Sequence, residues 1–226
     1  MKLTLAEELL LLSLRNDKGT VLCSASVGLP FGLAAAVLME LAMQEKVRIE
    51  GKKLVAVPTG DTDDAVLDEC LNLIRAAAKP KTVQSWVSRL GDRKSIRRAY
   101  LDRLVQKRIL RREEHRILWV FPTERFPTSN PLEELEVRRR LRRTAFTATA
   151  PDARTRFLVS LVQACDLAGE VFPDGDERKE AKQRFAELVK EEAFGKAVSD
   201  QVAAVMAACA AACAAACVAA TVTACS

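Results

Sequence analysis

The side chains that carry most protein chemistry are few in this sequence and poorly spaced for it. The one histidine, His115, lies in RREEHRILWV (residues 111–120) at an expected hairpin turn, and no Ser or Cys sits in a nucleophile-elbow sequence. A Ser/Cys–His triad therefore has no obvious base. The seven cysteines, Cys23, Cys70, Cys165, Cys209, Cys213, Cys217 and Cys225, are odd in number and contain no CxxC pair. That pattern points to reduced thiols in a cytosolic protein rather than to a disulfide framework or a zinc site. Asp61, Asp63, Asp64 and Asp68 do not follow the D-x-D-x-D-G spacing of a calcium loop, so they read as carboxylates favoured by the positive end of a helix. Gly28, Gly32, Gly51, Gly60 and Gly91 build neither a P-loop nor GxGxxG. The expectation is a protein with no catalytic activity, no cofactor and no metal.

Charge carries more information. The formal net charge is +5, but Arg75 to Arg143 holds 20 Lys/Arg against 8 Asp/Glu, a balance of +12, leaving −7 for the rest. A basic block of this kind faces a polyanion, either nucleic acid or an anionic lipid surface, unless its side chains only solvate helix faces. Five arginines, Arg138, Arg139, Arg140, Arg142 and Arg143, come late in SNPLEELEVRRRLRRTAF, while Glu133 and Glu134 come early. Ser129 or Asn130 caps the expected helix, Pro131 lies in its first turn, and the charge order follows the helix dipole. The arginines are thus expected at a solvated helix end, with anion binding as the alternative.

The elements that must position these charges are mostly helical. Thr4 and Glu7 form a capping box before a Leu-rich helix over residues 5–14, which is expected in the core. The apolar run MKLTLAEELLLLSL is too short for a signal peptide, contains Glu7 and Glu8 and lacks a cleavage site, so no export is expected. Residues 37–58 read as a helix, a strand with Val47 and Ile49, a Glu-Gly turn and a second strand, Leu54 to Val57. Residues 100–122 repeat the scheme: a helix with Leu101 and Leu104, a strand from Ile109 to Arg112, a turn near Glu113 to Arg116, and a strand from Ile117 to Phe121. Helices are also expected from about Asp64 to Ala78, around Trp86 and Leu90 with Trp86 in the core, from Thr155 to Leu167, and from Asp176 to Glu192. TATAPDAR reads as a flexible joint between them. The tail, Val202 to Ala220, carries no charge; its alanine content favours a helix packed on the protein over a membrane span, with Cys209, Cys213 and Cys217 as a packing seam. With 226 residues, 49% of them hydrophobic, the chain is expected to form one mainly α domain with short β-hairpins following helices.

One stretch resists a simple core assignment. As a strand, RILWVF puts Ile117, Trp119 and Phe121 on one face and Leu118 and Val120 on the other, so both faces are apolar. The second row needs more core, another subunit or a membrane.

The ordered set LTLAEELLLLSL, LMELAMQEKVRIE, PTGD, LDECL, TVQSWVSRL, LVQKRIL with its hairpin, and PDARTRFLVSLVQACDL resembles the Golgi phosphoprotein 3 family over roughly residues 3–205. Its Ala- and Arg-rich composition would suit a bacterial relative. The resemblance implies a mostly helical domain with short hairpins, acting as a peripheral membrane protein on the cytoplasmic face of a membrane. It implies binding of phosphatidylinositol 4-phosphate or another acidic phospholipid. The family's phosphate pocket takes two basic residues from the segment before LVxKxxL, which fall here on Lys94 and Arg97 in RKSIRRAYL. Arg93 and Arg98 lie beside them and add affinity for anionic phosphate. The pocket's Trp and Arg fall near Ala25 and Ala34. The family's membrane-facing hairpin, also implicated in self-association, corresponds to Leu118, Trp119 and Val120, and Trp119 suits a headgroup boundary. Two other classes stay open: a winged-helix-like nucleic-acid binder, since helix-hairpin units with basic residues fit that pattern too, and a scaffold with no anionic ligand. The apolar hairpin favours lipid, and no nucleic acid is expected.

Overall fold

The computed structural model describes residues 3–117, 121–190 and 199–224. The chain starts with α1 (Leu5–Leu12), capped as its sequence requires: Thr4 Oγ1 accepts from the Glu7 N–H at 3.2 Å and Glu7 Oε2 accepts from the Thr4 N–H at 2.8 Å. Every residue of α1 is buried, including Glu7 and Glu8. Such a helix lies inside the fold rather than on it, and its five leucines alone bury side chains worth ~1.5–3 kcal/mol each.

Beside it runs α2 (Leu29–Met43), apolar but for Glu40, with Pro30 in its first turn. The two helices approach closely at Gly32. A Cβ there would come within 2.8 Å of Leu9 Cδ2 and 2.4 Å of Cys165 Sγ, so any larger residue would push these buried side chains aside. A hairpin follows, β1 (Val47–Glu50) and β2 (Lys53–Ala56), in antiparallel register with Gly51 at φ +59° in its turn.

Two capped helices come next. Asp64 accepts from the N–H groups of Val66 and Leu67 to start α3 (Ala65–Arg75), and Thr82 accepts from Ser85 N–H to start α4 (Val83–Gly91). Then come α5 (Lys94–Gln106) and a second hairpin, β3 (Glu113–Ile117) with β4 (Phe121–Arg125). The remaining helices are α6 (Leu132–Phe146), α7 (Ala153–Ala164), the single turn α8 (Ala168–Val171), α9 (Gly175–Lys190) and α10 (Asp200–Ala224). One continuous core runs from Leu3 to Cys213. The mainly α class with short hairpins after helices is therefore the observed one.

Three local expectations change. Glu113 to Arg116 is not a turn but the body of β3, where His115 pairs with Thr123 and Ile117 with Phe121. Glu113, Glu114 and His115 are exposed. A two-stranded ribbon standing in solvent needs no apolar face, so polarity there is not a turn signal. RILWVF accordingly straddles the end of β3 and the start of β4, and Leu118, Trp119 and Val120 lie outside the described residues.

TATAPDAR is not a joint between bodies. Asp152 caps α7 by accepting from Thr155 N–H at 2.6 Å, and Arg154 donates to the Leu3 carbonyl at 2.6 Å and to Glu40 at 3.0 Å, fixing α7 to α1 and α2. Nor do the α6 arginines end in solvent as a group. Arg138 meets Glu134 and the Glu170 carbonyl, Arg140 meets Glu8, and Arg142 meets Glu177 while covering Phe146 and Phe172.

The stretch Asp200–Ala219 of α10 is long and apolar enough to cross a membrane, and here the helix packs along α2, α4 and α7. Val202, Val205, Met206, Cys209, Ala212 and Cys213 face the core, while Ala204, Ala207, Ala211, Ala214 and Val218 are exposed. The cysteine seam is real: Cys213 Sγ lies 3.9 Å from Cys165 Sγ, on the C-terminal end of α7.

Candidate functional site

The corner between α4 and α5 is where the sequence-predicted cations gather. Asp92 ends α4, and Arg93 occupies the N-cap of α5 in an extended conformation without a capping hydrogen bond from its side chain. The first turn of α5 contains no acidic residue; Lys94 and Arg97 stand there instead. This order opposes the helix dipole. The N–H groups at a helix start carry a partial positive charge and favour anions, so cations placed there are repelled until an anion joins them.

The same corner packs on the start of α2. At Gly91 a Cβ would lie 2.8 Å from Phe31 Cδ1 and 3.4 Å from the Pro30 carbonyl, so the glycine permits this approach. The start of α2 likewise has no side-chain cap and no acidic residue in its first turn. Between the two helix starts lies a cavity of about 410 Å3. Val27, Pro30, Phe31 and Leu33 line it from the α2 side; Leu90, Gly91, Asp92, Arg93, Lys94, Ile96 and Arg97 line it from the α4–α5 side.

The four cations named from the sequence divide. Arg93, Lys94 and Arg97 are exposed at the cavity. Arg93 also reaches Glu69 at 3.3 Å across solvent, a contact worth little in water. Lys94 and Arg97 have no hydrogen bond or ion pair among the described residues. Arg98 is elsewhere: it pairs with Asp102 at 3.1 Å, donates to Glu124 at 3.0 Å and covers Phe126, tying α5 to β4. It is a structural arginine.

Ala25 and Ala34 are fully buried and do not line the cavity. The wall opposite the cations comes instead from Val27, Pro30, Phe31 and Leu33. Phe31, half-buried, was missed by the sequence reading. An aromatic beside a proline at the start of an otherwise aliphatic helix was the available signal, and only the packing of Gly91 showed where it pointed.

The other candidates resolve into structure. Trp86 is 2% exposed, in the core as expected, with the Arg89 guanidinium 5.6 Å from its ring. Asp64 caps α3, Asp68 accepts from Thr62 N–H at 2.6 Å and Asp61 pairs with Arg75 at 2.6 Å. Among the described residues no group of three or more His, Cys, Asp or Glu side chains is arranged to hold a metal ion. Residues 5–205 match the family model described as Golgi phosphoprotein 3 (GPP34).

Proposed function

We propose, from the premise that this chain belongs to the Golgi phosphoprotein 3 family, that it attaches peripherally to membranes by binding an anionic phospholipid headgroup at the start of α5. One observation carries the proposal. Lys94 and Arg97, without a partner among the described residues, stand at a helix start that has no side-chain cap and no acidic residue in its first turn and that borders a cavity. Each cation near an anionic surface contributes roughly 1 kcal/mol, which suits reversible attachment. Family membership supports phosphatidylinositol 4-phosphate as the headgroup to try first. The chain then acts on the cytoplasmic face of a membrane and has no catalytic activity of its own. In the same proposal Leu118, Trp119 and Val120 enter the lipid interface or join two copies of the chain.

Sedimentation with vesicles tests it, using phosphatidylinositol 4-phosphate, phosphatidylserine or phosphatidylcholine alone, beside a duplex DNA binding assay. The wild type should sediment with anionic vesicles and not with phosphatidylcholine. Raising salt from about 0.05 to 0.5 M shortens the Debye length roughly threefold and should release most of it. Lys94→Ala with Arg97→Ala should weaken sedimentation several-fold without changing the melting temperature. Equal sedimentation of wild type and double variant would sink the site. DNA binding tighter than vesicle binding would replace the lipid by nucleic acid.

A further inference from the structure

Three cysteines meet where α7 ends. Cys165 is the C-cap residue of α7, and its Sγ lies 3.9 Å from Cys213 Sγ and 3.6 Å from the Gly28 carbonyl oxygen at the start of α2. Cys217, one turn beyond Cys213 on α10, completes the group. A Cβ at Gly28 would lie 3.1 Å from Cys217 Sγ and 3.5 Å from Cys165 Cβ, so both side chains press on the same point of the backbone.

The three thiols are not alike. Cys165 and Cys213 are buried, whereas Cys217 is half-buried and open to small solutes. Hydrogen bonds from Cys165 and then Cys213 favour the Cys217 thiolate and lower its pKa against the effect of burial. Contacts with Cys165 and Cys217, together with burial, push the Cys213 thiol well up, and Cys165 is raised despite its contact with Cys213. The start of α2 acts in the same direction. Gly28 is its N-cap, no side chain caps it, and its first turn holds no acidic residue, so the partial positive charge of a helix start falls beside the Cys217 sulfur, where it favours a thiolate.

We infer that this cluster is a thiol-oxidation site, at which hydrogen peroxide oxidises Cys217 and Cys165 then joins it in a disulfide that staples α10 to the end of α7. The Cys217 thiolate attacks one peroxide oxygen; the S–O bond forms, the O–O bond breaks, sulfur gives up two electrons, and the other oxygen leaves as hydroxide. Cys165 Sγ then attacks the Cys217 sulfenic sulfur, the S–S bond forms as the S–O bond breaks, and the hydroxyl leaves as water with the Cys165 thiol proton. Cys213 is the poorer partner for Cys217. Residues four apart on a helix hold their Cβ atoms about 5–6 Å apart, beyond the ~3.5–4.5 Å of a disulfide. In a reducing compartment the bond forms under oxidant and is removed by thiol reductants.

The test treats the reduced full chain with a small excess of hydrogen peroxide and maps the products by mass spectrometry. Cys23→Ser with Cys225→Ser removes the exposed thiol and the one outside the described residues, so that oxidation is read on the cluster. Trypsin should then yield residues 157–178 linked to residues 197–226, with fragmentation placing the bond between Cys165 and Cys217, and dithiothreitol should undo it. Adding Cys217→Ser should slow thiol loss roughly tenfold or more, since the remaining thiols are protonated and enclosed. Cys165→Ser should leave Cys217 as a sulfenic acid that dimedone traps; should the serine lower the melting temperature, Cys165→Ala gives the same reading. Cys213→Ser should still form the link. Thiol loss equally fast with and without Cys217, a bond joining Cys165 to Cys213 instead, or a cluster that stays reduced under peroxide that oxidises Cys23 of the unsubstituted chain overturns the inference.

Discussion

Lys94 and Arg97 have no hydrogen bond or ion pair among the described residues and stand together at a helix start beside a cavity. Arg103 shows the contrast. It donates to both Asp64 carboxylate oxygens, at 2.5 and 2.7 Å, a two-pronged contact that fixes α5 against the start of α3. Burial pushes the Asp64 carboxyl up, but the Arg103 hydrogen bonds and charge, with the N–H groups of Val66 and Leu67, outweigh it and hold the group below its usual range. A depressed carboxyl stabilises the fold at pH values above its unfolded value and ceases to do so as pH falls through the folded one. Asp64→Asn keeps a capping oxygen and removes the charge. It should cost about 1–2 kcal/mol at neutral pH. The gap from wild type, read by urea unfolding, should narrow below the ordinary Asp range, since the native charge disappears there. A gap that stays constant into acid would mean that the ion pair contributes nothing.

Among elements, the second hairpin departs most from its sequence pattern, while α10 packs on the protein as its alanine content suggests. The β3–β4 ribbon is tied at its base by Phe126, which is buried, and by Arg98 and Arg112 bridging Asp102 and Glu124. Its far end carries Trp119 by position in the sequence. If that end meets lipid, as proposed, Trp119→Ala should lower affinity for anionic vesicles several-fold and barely move the melting temperature. A core tryptophan would instead lose about 3–5 kcal/mol of stability. For α10 the prediction concerns thiols. Cys209 is enclosed and burial pushes its thiol well up, while burial takes Cys70 to about 12. Neither presents a thiolate near neutral pH, and thiolates are what react. With an aromatic disulfide reagent and mass mapping, exposed Cys23 should label in the native protein. Cys70 and Cys209 should wait for unfolding; rapid native labelling of Cys209 would show that α10 detaches from α2 and α4.

The whole molecule turns the charge asymmetry of the chain into neutralisation. Much of the excess charge from residues 75–143 ends on carboxylates outside it: Arg75 on Asp61, Arg103 on Asp64, Lys107 on Glu7, Arg140 on Glu8 and Arg142 on Glu177. The deepest knot joins α1, α2, α6 and α7, where Arg154, 12% exposed, meets Glu40 at 3.0 Å and Glu8 at 3.7 Å. Arg154→Ala would take from buried Glu40 its ion-pair partner and leave Glu8 with Arg140 alone, and should cost about 3 kcal/mol. Burial already raises the Glu8 carboxyl despite Arg140 and Arg154. A raised carboxyl binds its proton more tightly in the folded state, so the stability of the variant should recover as pH falls toward the ordinary Glu range. Chemical unfolding across that range checks the sign.

Local physics made the helices and their starts legible from residues alone. Thr4 with Glu7, Asp64 and Thr82 each satisfy N–H groups a few residues away, and apolar periodicity placed Trp86 and the α10 cysteines toward the core. Arg93, Lys94 and Arg97 were legible as a group because one helix start holds them together. What tertiary structure alone decided was which cations are free. Arg98 and Arg97 are adjacent and of one type; Glu124, on another element, takes the first and nothing among the described residues takes the second. It also decided what faces them, since Phe31 reaches the cavity through the close approach permitted by Gly91, residues that only packing brings together.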